Sequence, residues 1–87
     1  MKVIFRKDKK TNNVIAFLPE ASVNHGNIMS YMHIGQHSEA SYDYYNTTIK
    51  ANENEYLPLF NELNSIYDND LQIKQKITYS DLLHSWK

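Results

Sequence analysis

Val3-Ile4-Phe5 and Val14-Ile15-Ala16-Phe17-Leu18 are almost unbroken apolar runs rich in β-branched and aromatic residues. Short runs of this kind, bounded by polar turn residues, predict β-strands. The segment between them, Asp8 to Asn13, ends in Thr11-Asn12-Asn13. That turn chemistry predicts a hairpin with a longish loop, and Pro19 stops the second strand. Neither run alternates with polar residues, so at least one strand is expected to be covered on both faces. Glu20 to Asn27 reads as a loop with a turn at His25-Gly26-Asn27. From Ile28 to Ile34 the pattern alternates. Ile28, Ser30, Met32 and Ile34 share one side, and Met29, Tyr31 and His33 share the other. Neither side is purely polar, which predicts a third strand in a central position, broken or bent at Gly35.

Residues 38–50 admit two readings. Ser38-Glu39-Ala40-Ser41 can open a short helix with Ser38 as its cap, placing Tyr42, Tyr45 and Ile49 on one face. The rival is a strand with Tyr42 and Tyr44 on the same side. The short helix followed by extended chain is favoured, because Thr47-Thr48-Ile49 is β-branched. The strongest periodicity runs from Asn52 to Asp68. Tyr56, Leu59, Phe60, Leu63, Ile66 and Tyr67 recur at helical spacing. Asn52 and Glu55 have the spacing of a capping box. With Asn52 as cap, Pro58 lies deep enough to kink the helix; with Asn54 as cap, it falls at the edge of the first turn. Leu71 to Ile77 alternates like an outer strand with one wet face. Tyr79 to Trp86 predicts a last helix capped by Ser80, with Leu82, Leu83 and Trp86 as its apolar side.

The resulting order, β-β-β-(α)-α-β-α, implies an α+β fold. Its expected form is a mainly antiparallel sheet of about four strands with helices packed on one face. Eighty-seven residues allow a single domain, 1–87. The chain has no Cys. A secreted domain of this size usually depends on disulfides, so a reducing, cytoplasmic setting is expected. No apolar run approaches the length of a membrane span, and Met1 to Lys7 is too short and too soon charged for a signal peptide. Net charge is −1, whereas dedicated nucleic-acid binders carry a clear positive excess. Lys2, Arg6, Lys7, Lys9 and Lys10 gather early, but Asp8 sits among them, and such a tip is ordinarily a solvated turn.

The candidate chemistry is sparse. His33 and His37 stand four apart with His25 and Glu39 nearby, yet a four-residue spacing converges on a metal only along a helix. Gly35 lies between them, so a strand histidine at 33 and a loop histidine at 37 are expected, with no metal site. Adjacent His37, Ser38 and Glu39 cannot face one another as a triad, and no nucleophile elbow is present. Gly26 and Gly35 belong to no phosphate-binding motif. No catalytic set, metal or cofactor is therefore expected. The tyrosines are the feature most like a binding surface, since Tyr is enriched at interface hot spots. In a domain this small, an even split between core and surface is expected among Tyr31, Tyr42, Tyr44 and Tyr45.

The order of segments carries a resemblance. It runs through Val3-Ile4-Phe5-Arg6-Lys7, Val14 to Glu20, Tyr31-Met32-His33-Ile34-Gly35-Gln36-His37-Ser38, then Glu55-Tyr56 and Glu62-Leu63. In these the chain resembles small proteins of phages and mobile elements of Bacteroidetes-type bacteria, and Gly35-Gln36-His37-Ser38 is the most specific part. The sequence departs from that pattern at Ile66-Tyr67-Asp68-Asn69, where a Gly is expected to close the helix. Proteins of this size and setting include anti-CRISPR inhibitors, and the chain is similar in particular to inhibitors of a type VI CRISPR effector, an RNA-guided RNase. The resemblance implies a non-enzymatic protein of the bacterial cytoplasm. Its implied partner is a bacterial defence effector, alone or with its guide RNA, and no membrane. The expected surface comprises Tyr31, His33, Gln36, His37, Tyr42, Tyr44 and Tyr45. The alternative is a nucleic-acid-binding accessory protein of a mobile element, with Tyr31 and nearby lysines stacking single-stranded RNA.

Overall fold

The computed structural model describes residues 1–32, 36–68 and 70–86. In chain order the elements are β1 (Lys2–Lys7), β2 (Val14–Leu18), β3 (Asn27–Met32), β4 (Gln36–Ser41), α1 (Tyr42–Thr47), β5 (Ile49–Lys50), α2 (Glu53–Ile66), β6 (Gln72–Ile73) and α3 (Tyr79–Ser85). The α+β class with a mostly antiparallel sheet is what the sequence implies. β4, β3, β2 and β1 lie side by side as antiparallel neighbours. The outer side of β1 is shared. β5 pairs antiparallel with its end, Arg6 opposite Lys50 and Lys7 opposite Ile49. β6 pairs parallel with its start, Lys2 opposite Gln72 and Val3 opposite Ile73. The sheet thus has six strands, two of them two residues long.

Helices cover both faces, not one. Val3, Phe5, Ala16, Leu18 and Tyr31 point to the side where α2 contributes Leu59 and Leu63. Ile4, Ile15, Phe17 and Ile28 point to the other side, where Tyr45 of α1 and Leu82 of α3 complete a second core with Ile77. This alternation is why β1 and β2 are apolar at successive positions: every side chain of a doubly covered strand is removed from water. The expectation of double covering and that of single-faced helices could not both hold, and the strand pattern was the stronger signal.

Local chemistry sets the ends of the elements. Asp8 Oδ1 accepts from the N–H groups of Lys10 and Thr11 at 2.8 and 3.0 Å, and Asn12 turns with φ 60°. A short polar side chain that satisfies the loop backbone makes that turn tolerable. Gly26 takes φ 89° in the turn where Asn27 N–H donates to Asn24 O at 3.0 Å, a conformation that costs glycine little. The cap of α1 is Ser41, which accepts from Tyr44 N–H, and not Ser38, which lies in β4. Asn52 and Glu55 form the full capping box of α2, and the helix runs through Pro58. Both Pro58 and Asn54 are exposed, so the Asn54 carbonyl, which has no N–H at Pro58 to bond, faces water. Where a closing Gly was expected, Asp68 carries φ 53°. α3 is capped by Thr78, not Ser80, with Asp81 completing a second capping box. Leu82 and Trp86 pack inward as expected, whereas Leu83 is 58% exposed.

Candidate functional site

The sheet splits the expected surface. Tyr31 stands on the α2 side of β3 and is 1% exposed; its hydroxyl donates to Glu62 of α2 at 2.6 Å. His37 lies opposite it in β4, a strand and not a loop, with ring centroids 4.8 Å apart. The exposed His37 imidazole shares a hydrogen bond with the Tyr67 hydroxyl at 2.9 Å. These contacts tie the edge strand to the helix packed over it. Gln36 is placed by its backbone at the start of β4, and His33 lies outside the described residues.

Tyr42, Tyr44 and Tyr45 lie on α1, on the opposite face. Tyr45 is 6% exposed and meets Phe17 edge-on at 5.1 Å. Its hydroxyl accepts from Ile77 N–H at 3.2 Å, and the Arg6 guanidinium sits 5.3 Å from its ring centroid, a cation–π distance. Arg6 also donates to Thr48, through Nε to Oγ1 at 3.1 Å and Nη2 to the carbonyl at 2.6 Å. Tyr42 is half-buried and stacked on Tyr45 at 5.9 Å. Tyr44 reaches the hairpin tip, donating to Asp8 Oδ2 at 2.7 Å. That hydrogen bond, with those from Thr11 and Lys10, draws the Asp8 carboxyl down to about 2. Burial, with the Asp8 charge beside it, pushes Tyr44 up to about 12. Tyr31 and Tyr45 are therefore core residues with satisfied hydroxyls. Tyr31 has no ring face for a nucleobase, so sheet stacking of RNA through it lacks its central residue.

What the structure brings together at one place is backbone. β4 pairs only with β3 among the described residues. Tyr42 N–H donates to Gly26 O at 2.8 Å, and Ser38 O accepts from Ser30 Oγ at 2.8 Å. Even-numbered positions of the strand thus turn their backbone groups toward β3. By alternation, His37 and Glu39 turn theirs outward. The strand Gln36–Ser41 carries no Lys or Pro, the residues with which edges are commonly guarded. Its side chains, His37, Ser38 and Glu39, are exposed. Glu39 Oε1 accepts from Asn24 N–H and Asn27 Nδ2 at 3.1 and 2.9 Å, which fixes the loop behind the strand.

Charge is distributed unevenly across the sheet. No Lys or Arg occurs from residue 11 to 49, a stretch that holds Glu20, Glu39 and Asp43. α2 adds Glu53, Glu55 and Glu62 without a basic residue. The cations collect on β1, the hairpin tip, β5 and the chain around β6. There Lys7 pairs with Glu55, and Lys2 pairs with Asp81 at 2.9 Å. The Asn52 N–H and then Lys7 lower the Glu55 carboxyl. Sequence reading missed the edge because the polar run Gln36 to Ser41 looks like a loop; the long interval without Lys or Arg was the available signal. Among the described residues no group of three His, Cys, Asp or Glu side chains could hold a metal, and no helix is long and apolar enough to cross a membrane. Against protein-family models, curated proteins and solved structures, the chain has no match.

Proposed function

We propose that this protein acts by binding and not by catalysis, docking the outer edge of β4 onto an extended segment of a partner protein. The observation that carries the reading is the outward backbone of His37 on an edge strand without Lys or Pro. Strand addition supplies main-chain hydrogen bonds for affinity, and neighbouring side chains select the partner. Glu39 and Asp43, in an interval from 11 to 49 free of Lys and Arg, favour a basic surface on the partner. A nuclease that grips guide and target RNA is basic where it does so. The sequence resemblance supplies the rest of the proposal: the partner is a bacterial defence effector of the RNA-guided RNase type, and docking inhibits it. Tyr42 and the His37–Tyr67 pair flank or brace the edge, while the core tyrosines hold it in place.

Mixing purified type VI effector, loaded with guide RNA, with this protein tests the proposal. A co-eluting complex and suppressed target-RNA cleavage are expected. His37→Pro removes an outward N–H without touching the β3 ladder and should abolish both, whereas His37→Ala, which loses the same contacts to Tyr31 and Tyr67 but keeps the N–H, should retain both. Full cleavage at saturating protein would refute the partner, and an unimpaired His37→Pro variant would refute the edge.

A further inference from the structure

β5 and β6 close the outer side of β1 from its two ends and leave a cavity of about 210 Å³ between them. Phe5, Tyr56 and Ile73 form its apolar wall, and Lys50, Lys74 and Gln75 line its polar side. The wall is rigid. Phe5 and Tyr56 stack with centroids 4.5 Å apart and planes 8° from parallel, and Phe60 meets Phe5 edge-on at 6.2 Å. The strands deliver the two lysines separately. Lys50 is opposite Arg6 at one end of β1, and Lys74 N–H donates to Val3 O at 2.8 Å near the other. Three residues of extended chain separate these anchor points, a span of about 10 Å that two lysine side chains can close from opposite sides. Lys2 and Lys7 have carboxylate partners, at Asp81 and Glu55. Lys50 and Lys74 form no ion pair among the described residues. Two cations outside any ion pair among the described residues therefore line one cavity that has an apolar wall, with Glu53 also on its lining.

The geometry points to a binding site for a nucleoside phosphate, free or at the end of a single strand, with the base against Tyr56 and Ile73, backed by the buried Phe5, and the phosphate between Lys50 and Lys74. Size limits the ligand. Pockets for drug-sized molecules run from about 300 to 1,000 Å³, so this one suits a single base and not a larger ring system. An apolar wall binds any base by its flat face, the lysines supply phosphate contacts without sequence preference, and on the lining Gln75 can donate to or accept from a base edge while the Glu53 carboxylate can accept from one. The site stands on the opposite side of the sheet from β4, so it is independent of the docking edge.

The test is a titration of the isotope-labelled full chain followed by amide chemical shifts, with adenosine monophosphate, a short single-stranded RNA carrying a 5′ phosphate, and inorganic phosphate as probes. Saturable shifts at Ala51, Asn52, Ile73 and Gln75 are expected with the nucleotide. Comparing the nucleotide and RNA arms tells a free ligand from a strand end, and tighter binding of either supports the site. Removing a charged hydrogen-bonding partner costs about tenfold or more in affinity, so Lys50→Ala with Lys74→Ala should weaken binding at least that much. His37→Pro should leave it unchanged. Absence of shifts at these residues with both nucleotide and RNA would overturn the site, as would inorganic phosphate binding as tightly as the nucleotide.

Discussion

Along the outer side of β1 the backbone is closed at both ends, by β5 and by β6. Along the outer side of β4 the backbone groups of His37 and Glu39 meet no strand among the described residues. The difference follows from what each edge has behind it. β1 stands between two cores, and the chain returns to its outer side twice, as β5 after α1 and as β6 after α2. β4 is tied to the body by side chains, through His37 to Tyr67 and Glu39 to Asn24 and Asn27. An edge secured by side chains can be rigid while its main chain stays available. The cationic side of the molecule is the closed one, and the side without lysine or arginine is the open one. The strand edge without a neighbouring strand and the larger share of the cations thus lie at opposite margins of the same sheet.

Variants can break or sharpen this contrast. The largest effect is expected where α2 packs on β1, β2 and β3. Leu63 is fully buried there, and Leu63→Ala should cost about 2–5 kcal/mol in urea unfolding. Tyr45→Phe comes next. It leaves the buried Ile77 N–H without its acceptor and should cost about 1–3 kcal/mol. A pair of proline variants compares the margins directly. Gln72 N–H donates to Met1 O at 2.8 Å, so Gln72→Pro should lose about 1 kcal/mol more than Gln72→Ala, whereas His37→Pro should cost no more than His37→Ala, which loses the same contacts to Tyr67 and Tyr31, because its N–H is outside the ladder. An equal excess at both positions would mean that β4 is closed after all.

Smaller effects come from the turns. Asp68→Gly relieves a left-handed residue at the end of α2 and should raise stability by up to about 1 kcal/mol, read as a higher Tm. The Asp8–Tyr44 contact should appear as a pH dependence. The folded Asp8 carboxyl titrates near 2, below its unfolded value, so its contribution is present above about pH 4 and is lost as pH falls toward 2. The folded Tyr44 phenol titrates near 12, above its unfolded value, so its contribution is present below about pH 10 and is lost as pH rises toward 12. Tyr44→Phe should flatten both limbs in a series of thermal melts.

The sequence made the double-covered strands legible because Ile4 and Phe5, or Ala16 and Phe17, cannot both be inward on a one-sided sheet. It made α2 legible through Asn52, Glu55 and a stripe of apolar residues, although Ile66 at the margin of that stripe is exposed. The fourth strand was hidden. Gln36 to Ser41 has neither apolar alternation nor β-branched residues, and its pairing rests on β3 alone. A plausible cap at Ser38 drew the helix start three residues too early, when the same chemistry at Ser41 governs it. β6 was read as running from Leu71 to Ile77, but only Gln72 and Ile73 pair, because a long alternating pattern signals exposure on one side and not a partner. The candidate surface was legible as a segment and not as a mode. Gln36 and His37 mark it, but which backbone groups point outward depends on register, and register is a tertiary fact.

The parallel pairing of β1 with β6 also bears on how the molecule assembles. β1 finds its partner in β6 only when residues 72 and 73 have been made. Until then Lys2 and Val3 present an open margin of their own. Contacts between such distant parts of a chain slow folding, so the refolding rate should be low for a protein this short, and the hairpin of β1 and β2 is placed to form first and wait.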